Sequence, residues 1–150
     1  MPDASMTGCA LGFDFGTRRI GVAAGSALSG GAQPLQALPA RNGEPDWNRV
    51  DALLAEWKPE TLIVGLPLTL DGGEQAVTRG ARAFARQLEG RYGLAVHLID
   101  ERHTSQEAAG RFAEQRAIGN ARRRQAANID SLAAVVILEA WLRGHASGER

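Results

Sequence analysis

Cysteine occurs once in the chain, at Cys9. No intrachain disulfide can form, and a zinc site would lack partners. Lysine is equally scarce, since Lys58 is the only one among 17 basic residues. No run of about 18 apolar residues exists, which excludes a membrane span. The first residues, Met1-Pro2-Asp3-Ala4-Ser5, carry no basic stretch followed by an apolar core, so no secretory signal is expected. These absences point to a cytoplasmic protein with no membrane partner. What is present is ordinary: 150 residues, 44% hydrophobic and 23% charged, enough for one domain with a real core.

The net charge of zero hides an asymmetry. Residues 1–74 hold five basic and nine acidic side chains, a balance of −4, and residues 75–150 hold twelve and eight, a balance of +4. Nearly all the positive charge is arginine, whose planar fork suits bidentate contacts to phosphate. A genome-wide preference for arginine explains the bare composition equally well.

Leu11, Phe13 and Phe15 alternate with Gly12, Asp14 and Gly16, the period of a strand. Thr17-Arg18-Arg19 is a turn, Ile20 to Ala24 a second strand, and Pro34 to Leu38 an edge strand that tolerates proline. The period then lengthens. Pro45 suits the first turn of a helix carrying Trp47, Val50, Leu53, Leu54 and Trp57, stopped at Lys58-Pro59. Thr61 to Leu66 is a buried strand, and a helix is predicted from about Glu74 to Glu89, ended by Gly90. Val77, Ala81, Phe84 and Leu88 share one stripe of it, with Arg79, Arg82 and Arg86 opposite. Leu94 to Ile99 is the next buried strand. Thr104-Ser105-Gln106-Glu107 has the spacing of a capping box for a helix through Phe112. Residues 116–124 lack periodicity and read as a mobile basic loop. The last helix, roughly Gln125 to Trp141, should bury Ile129, Ala133, Val136 and Ala140. The order β-β-β-α-β-α-β-α-α makes an α/β mixed sheet with helices on both faces.

Three acids stand out. Asp14 lies inside an apolar strand, where aspartate is disfavoured and a buried unpaired carboxylate is costly. Its neighbours Gly12 and Gly16 should leave open space beside it, although pairing with an arginine is an equally simple account. Glu101 stands just past the C-terminal end of a buried strand, the edge where open α/β sheets bind ligands. Asp130 falls in the first turns of the last helix, where acids are common for dipole reasons alone. Carboxylates converging on one point repel and need cations between them. Magnesium accepts such oxygen ligands, and two ions together can activate water and stabilise the leaving oxygen of a phosphodiester.

The chain resembles the YqgF family, described as pre-16S rRNA nucleases or Holliday-junction-resolvase-like proteins. Four segments carry the resemblance. The first is Leu11-Gly12-Phe13-Asp14-Phe15-Gly16-Thr17 continuing to Arg19-Ile20-Gly21-Val22-Ala23. The second is Ile63-Val64-Gly65-Leu66-Pro67-Leu68 with Asp71-Gly72. The third is Asp100-Glu101-Arg102 with Thr104-Ser105 and Glu107-Ala108, and the fourth Asp130-Ser131 with Ala133-Ala134. Together they span about residues 10–142. The resemblance implies one ribonuclease-H-like domain with a core of about residues 8–143. It also implies hydrolysis of phosphodiesters with Mg2+ or Mn2+, and a role at the 5′ end of pre-16S rRNA. Asp14, Glu101 and Asp130 match the family's acidic positions and are the candidate catalytic residues and metal ligands. Arg18, Arg19, Arg102, Arg122, Arg123 and Arg124 are the candidate nucleic-acid contacts.

The sequence departs from the family pattern twice. Relatives often carry Gly-Lys-Val-Asp where this chain has Ala127-Asn128-Ile129-Asp130, so a phosphate contact is either lost or taken over by Arg122 to Arg124. Position 103, commonly apolar, is His103. Two other readings stay open here: a ribosome-assembly or transcription factor that binds RNA without cutting it, and a Holliday-junction resolvase acting on branched DNA. Asp14-Phe15-Gly16-Thr17 also resembles the phosphate loop of actin-like ATPases, but those need a second such domain, and no second copy of the motif occurs.

Overall fold

The computed structural model describes residues 8–26, 31–68, 71–100 and 130–148. Its strands are β1 (Cys9–Asp14), β2 (Arg19–Ser26), β3 (Ala32–Arg41), β4 (Glu44–Pro45), β5 (Thr61–Leu66) and β6 (Ala95–Asp100). Its helices are α1 (Trp47–Trp57), α2 (Ala76–Tyr92) and α3 (Leu132–Gly148). The six strands form one sheet in the order β4-β3-β2-β1-β5-β6. The first four strands pair antiparallel in sequence order. β1, β5 and β6 run parallel. This is the mixed α/β sheet that leading hairpins followed by crossover helices should build.

Strand alternation divides the sheet into two unlike faces. One presents Leu11 and Phe13 of β1, Ile20 and Val22 of β2, and Leu62, Val64 and Leu66 of β5. These pack on Val50 and Leu54 of α1 and on Ala81, Phe84 and Leu88 of α2. The other presents Ala10, Ala23 and Ile63 to Ala134, Val135, Ile137, Leu138 and Leu142 of α3. Helices therefore cover both faces, α1 and α2 on one and α3 on the other.

Several boundaries differ from expectation. β3, expected at the edge, is twice as long as its apolar core suggested and is flanked by β4, because Asn42 and Gly43, both at positive φ (55° and 83°), close a two-residue hairpin into β4. Pro45 belongs to that hairpin and is not in the helix. The helix begins at Trp47, and its cap is Asp46, whose carboxylate accepts the Asn48 N–H at 3.0 Å. α2 does not end at Gly90. It runs on to Tyr92 and is capped by Gly93 at φ 67°, while Gly90 is an exposed helical residue with nothing close to it. α3 buries Leu132, Ala134, Val135, Ile137 and Leu138 as well as Val136, leaving Ala133 and Ala140 only partly covered. A helix enclosed on most sides has no single stripe for periodicity to find. The expected helix from Thr104, the basic loop 116–124 and Gln125 to Ile129 lie outside the described residues. No helix of the described residues is long and apolar enough to cross a membrane.

At the rim between α1 and α2, Arg91 donates to Asp51 at 3.2 Å and lies 4.9 Å over the Trp47 ring. The Tyr92 hydroxyl donates to the same carboxylate. Burial, aided by that carboxylate, pushes the Tyr92 phenol up to about 12.

Candidate active site

Because β1, β5 and β6 are parallel, their C-terminal ends lie at one edge of the sheet, and they end in Asp14, Leu66 and Asp100. Asp14 is half-buried, and alternation puts it on the α3 face with Ala10 and Gly12. The position beside Gly12 is not open space, as the glycine pattern had suggested. A Cβ there would stand 2.9 Å from Leu138 Cβ and 3.3 Å from the Ala134 carbonyl. A Cβ on Gly16 would likewise meet the Arg19 carbonyl at 2.6 Å. These glycines admit other parts of the chain and do not make a cavity.

One close approach fixes the Asp130 turn. Asp14 stands opposite Gly21 in the β1–β2 ladder. A Cβ on Gly21 would lie 2.5 Å from the Asp130 carbonyl oxygen and 3.1 Å from Ser131 Cα. The Asp130–Ser131 turn is thus seated directly on the strand position paired with Asp14. A second contact holds it there. The β2–β3 register shifts between Ile20 and Val22, and the Val22 N–H donates to the buried Ser131 Oγ at 2.9 Å. Bulges of this kind free a ladder group for another partner. Asp130 lies in this short 3₁₀ turn just before α3, one step outside the helix expected to carry it.

The segment following Asp14 is tied down as well. The Phe15 ring packs where Cβ atoms on Gly43 and Gly80 would be, 2.9 and 2.8 Å away. The Gly43 N–H donates to the Thr17 carbonyl at 3.0 Å and the Ala40 N–H to the Arg18 carbonyl at 2.9 Å. α2 starts at the same edge, where the Thr78 hydroxyl donates to the Pro67 carbonyl.

Of the three candidate ligands, the fold brings the Asp14 and Asp130 positions together. Glu101 lies outside the described residues, as do Arg102, His103, Arg122, Arg123 and Arg124. Among the described residues no three acidic, histidine or cysteine side chains gather as a metal site. Arg18 is exposed. Arg19 Nη1 lies 3.5 Å from Asp130 Oδ1, with both side chains about half exposed at 56% and 49%. Asp130 thus meets an arginine in a long, solvated contact. An exposed pair of that kind contributes little to stability. Among the described residues the Asp130 carboxylate is held by this one contact, and hard carboxylate oxygens of that kind suit magnesium or manganese. The sequence reading missed two residues that position the site, Gly21 and Ser131. Only glycine inside the strand Ile20-Gly21-Val22 signalled that another backbone comes close.

A family model described as "RuvX: Holliday junction resolvase" matches residues 8–144. A Xanthomonas oryzae pv. oryzae (strain PXO99A) protein named "Putative pre-16S rRNA nuclease" is 51% identical over 145 residues, covering 95% of this chain and 94% of its own. A protein of the same name from Xylella fastidiosa (strain 9a5c) is 52% identical over the same shares. Among solved structures, T. thermophilus RuvC in complex with Holliday junction substrate superposes with a TM-score of 0.56 at 18% identity, over 92% of this chain and 96% of that one. The fowlpox virus Holliday junction resolvase gives 0.57 at 12% identity, over 91% and 98%. At those identities the likeness is one of fold, that of the RuvC-like, ribonuclease-H-like resolvases.

Proposed function

Because the chain belongs to the RuvX (YqgF) family, we propose that it is a divalent-metal-dependent nuclease that matures the 5′ end of pre-16S rRNA in the cytoplasm. The observation that carries this reading is the seating of the Asp130 turn on Gly21, directly opposite Asp14. Nothing local joins those two acids, and the buried Ser131–Val22 hydrogen bond that seats the turn supports a shared role for both. Glu101, outside the described residues, completes the set on the family resemblance.

Asp14, Glu101 and Asp130 would hold Mg2+ or Mn2+, which when bound supplies an activated water and offsets charge on the leaving oxygen. The chain's own residues do the rest. Ser131 and Gly21 fix Asp130, the Phe15 anchor fixes the segment after Asp14, and Arg18 and Arg19 offer exposed cations to substrate phosphates. Arg102 and Arg122 to Arg124 extend that grip along the nucleic acid. The whole works as a single nuclease domain.

The test is incubation of the purified protein with a 5′-extended 16S rRNA fragment and, separately, a four-way DNA junction, each with Mg2+ or Mn2+. The rRNA fragment should be cut. Asp14→Asn should slow the cut by at least about 100-fold, equivalent to about 2.7 kcal/mol of lost transition-state stabilisation, while the fold survives because carboxylate repulsion is relieved. Cutting of the junction in preference to the RNA would reassign the substrate. Binding of the RNA without cleavage under either metal would make the protein an assembly factor.

A further inference from the structure

Arg19 opens β2 and shares the face of Gly21 and Ala23, the face of Asp14 and of the Asp130 turn. Its guanidinium meets Asp130 across 111 residues of sequence, at 3.5 Å and half exposed. The turn does not need this contact for its placement, because the Ser131–Val22 hydrogen bond and the fit over Gly21 already seat it. The pair nonetheless sets a permanent positive charge against a carboxylate that a dication would use. That charge lies well within the screening length of about 8 Å at physiological salt. An arginine and a divalent ion cannot both draw fully on one carboxylate without repelling each other.

We propose that Arg19 competes with the metal ion for Asp130. In the metal-free protein the guanidinium neutralises Asp130 and lowers metal affinity. When the ion takes Asp130, Arg19 is released on the same face, where a substrate phosphate is its natural partner. Metal and nucleic acid then bind cooperatively, since each favours the arrangement the other needs. This rests on the reading of Asp14 and Asp130 as ligands. Arg19 is a positioning residue, acting through Asp130.

The experiment is a Mn2+ titration of the full chain without nucleic acid, reading free Mn2+ by electron paramagnetic resonance. Arg19→Gln should bind Mn2+ about two- to five-fold tighter than wild type, the affinity equivalent of removing an exposed ion pair. Arg19→Lys, which keeps the charge, should stay close to wild type. Circular dichroism of each variant in EDTA verifies that the fold is intact. Unchanged or weaker Mn2+ binding by Arg19→Gln overturns the competition, and so does a gain by Arg19→Lys equal to that of Arg19→Gln. Asp14→Asn and Asp130→Asn in the same titration report on the ligand reading alone. If neither loosens Mn2+, that reading fails and the competition falls with it. If both loosen it and Arg19→Gln does not tighten it, only the competition fails.

Discussion

Towards α1 and α2 the sheet presents Leu11, Phe13, Ile20, Val22, Leu62 and Val64, and the helices answer with Phe84, Leu88, Val50 and Leu54. Towards α3 it presents Ala10, Gly12, Gly21, Ala23 and Gly25, with Ile63 the one large side chain among the central strands. The first face is filled by bulk, and each fully buried side chain of that size contributes about 1.5–3 kcal/mol. On the second face bulk is removed, so that a helix can lie almost against the strand backbone. The same close approach that packs α3 seats the Asp130 turn on the strand position paired with Asp14. One face carries most of the large buried side chains, and the other gives up side-chain volume so that the turn before α3 can sit on the strand.

The sharpest way to break this comparison is to injure each face and read stability and site separately. Leu88→Ala on the bulky face leaves a cavity far from the Asp14 edge and should cost about 2–5 kcal/mol. Urea melts would show the loss, while the Mn2+ affinity of the folded protein stays at wild type. A large loss of Mn2+ affinity would mean that the two faces are not separable. Gly21→Ala is the converse. A methyl group 2.5 Å from a backbone oxygen has no flexible side chain to displace, so the Asp130 turn must move, at about 1–3 kcal/mol. Though the milder lesion in a melt, it should be the one that weakens Mn2+ binding and slows cleavage. Wild-type activity in Gly21→Ala would show that the site tolerates a displaced turn.

The smallest effect lies at the rim of the bulky face, where Tyr92 joins Asp51 and Arg91. Its phenol is raised from 10.0 to about 12, first by burial and then by the Asp51 carboxylate. The folded chain therefore holds this proton where the unfolded chain has lost it. The associated stability is fully present below about pH 10 and disappears as pH rises towards 12. Tyr92 is the only tyrosine, so phenolate absorbance reports on it alone. The native midpoint should lie near 12, and Asp51→Asn should lower it part of the way. A native midpoint at the free value would dissolve the rim contact.

The apolar patterns of β1, β2, β5 and α2 were legible because each is local: alternation in the strands, and Ala81, Phe84 and Leu88 on one stripe of a helix. The Asn42-Gly43 turn is equally local, but Pro45 just after it suits a helix start as well as a hairpin. Gly90 and Gly93 were harder to separate. Both suit a helix end, and only the docking of Leu88 and Tyr92 carries α2 past the first to the second.

The family, the mixed α/β sheet and the three acids worth watching followed from the sequence by itself, since they depend on residue types at fixed spacings along one segment. The seating of the Asp130 turn on the strand position opposite Asp14 did not. It depends on Gly21 lacking a side chain, on a register shift that frees the Val22 N–H, and on Ser131 being present to accept it. Each of those conditions lies in a different part of the chain. They act on one another only after β2 has paired with β1 and α3 has closed over the bare face, because contacts of a few ångströms between distant segments exist only in the folded chain.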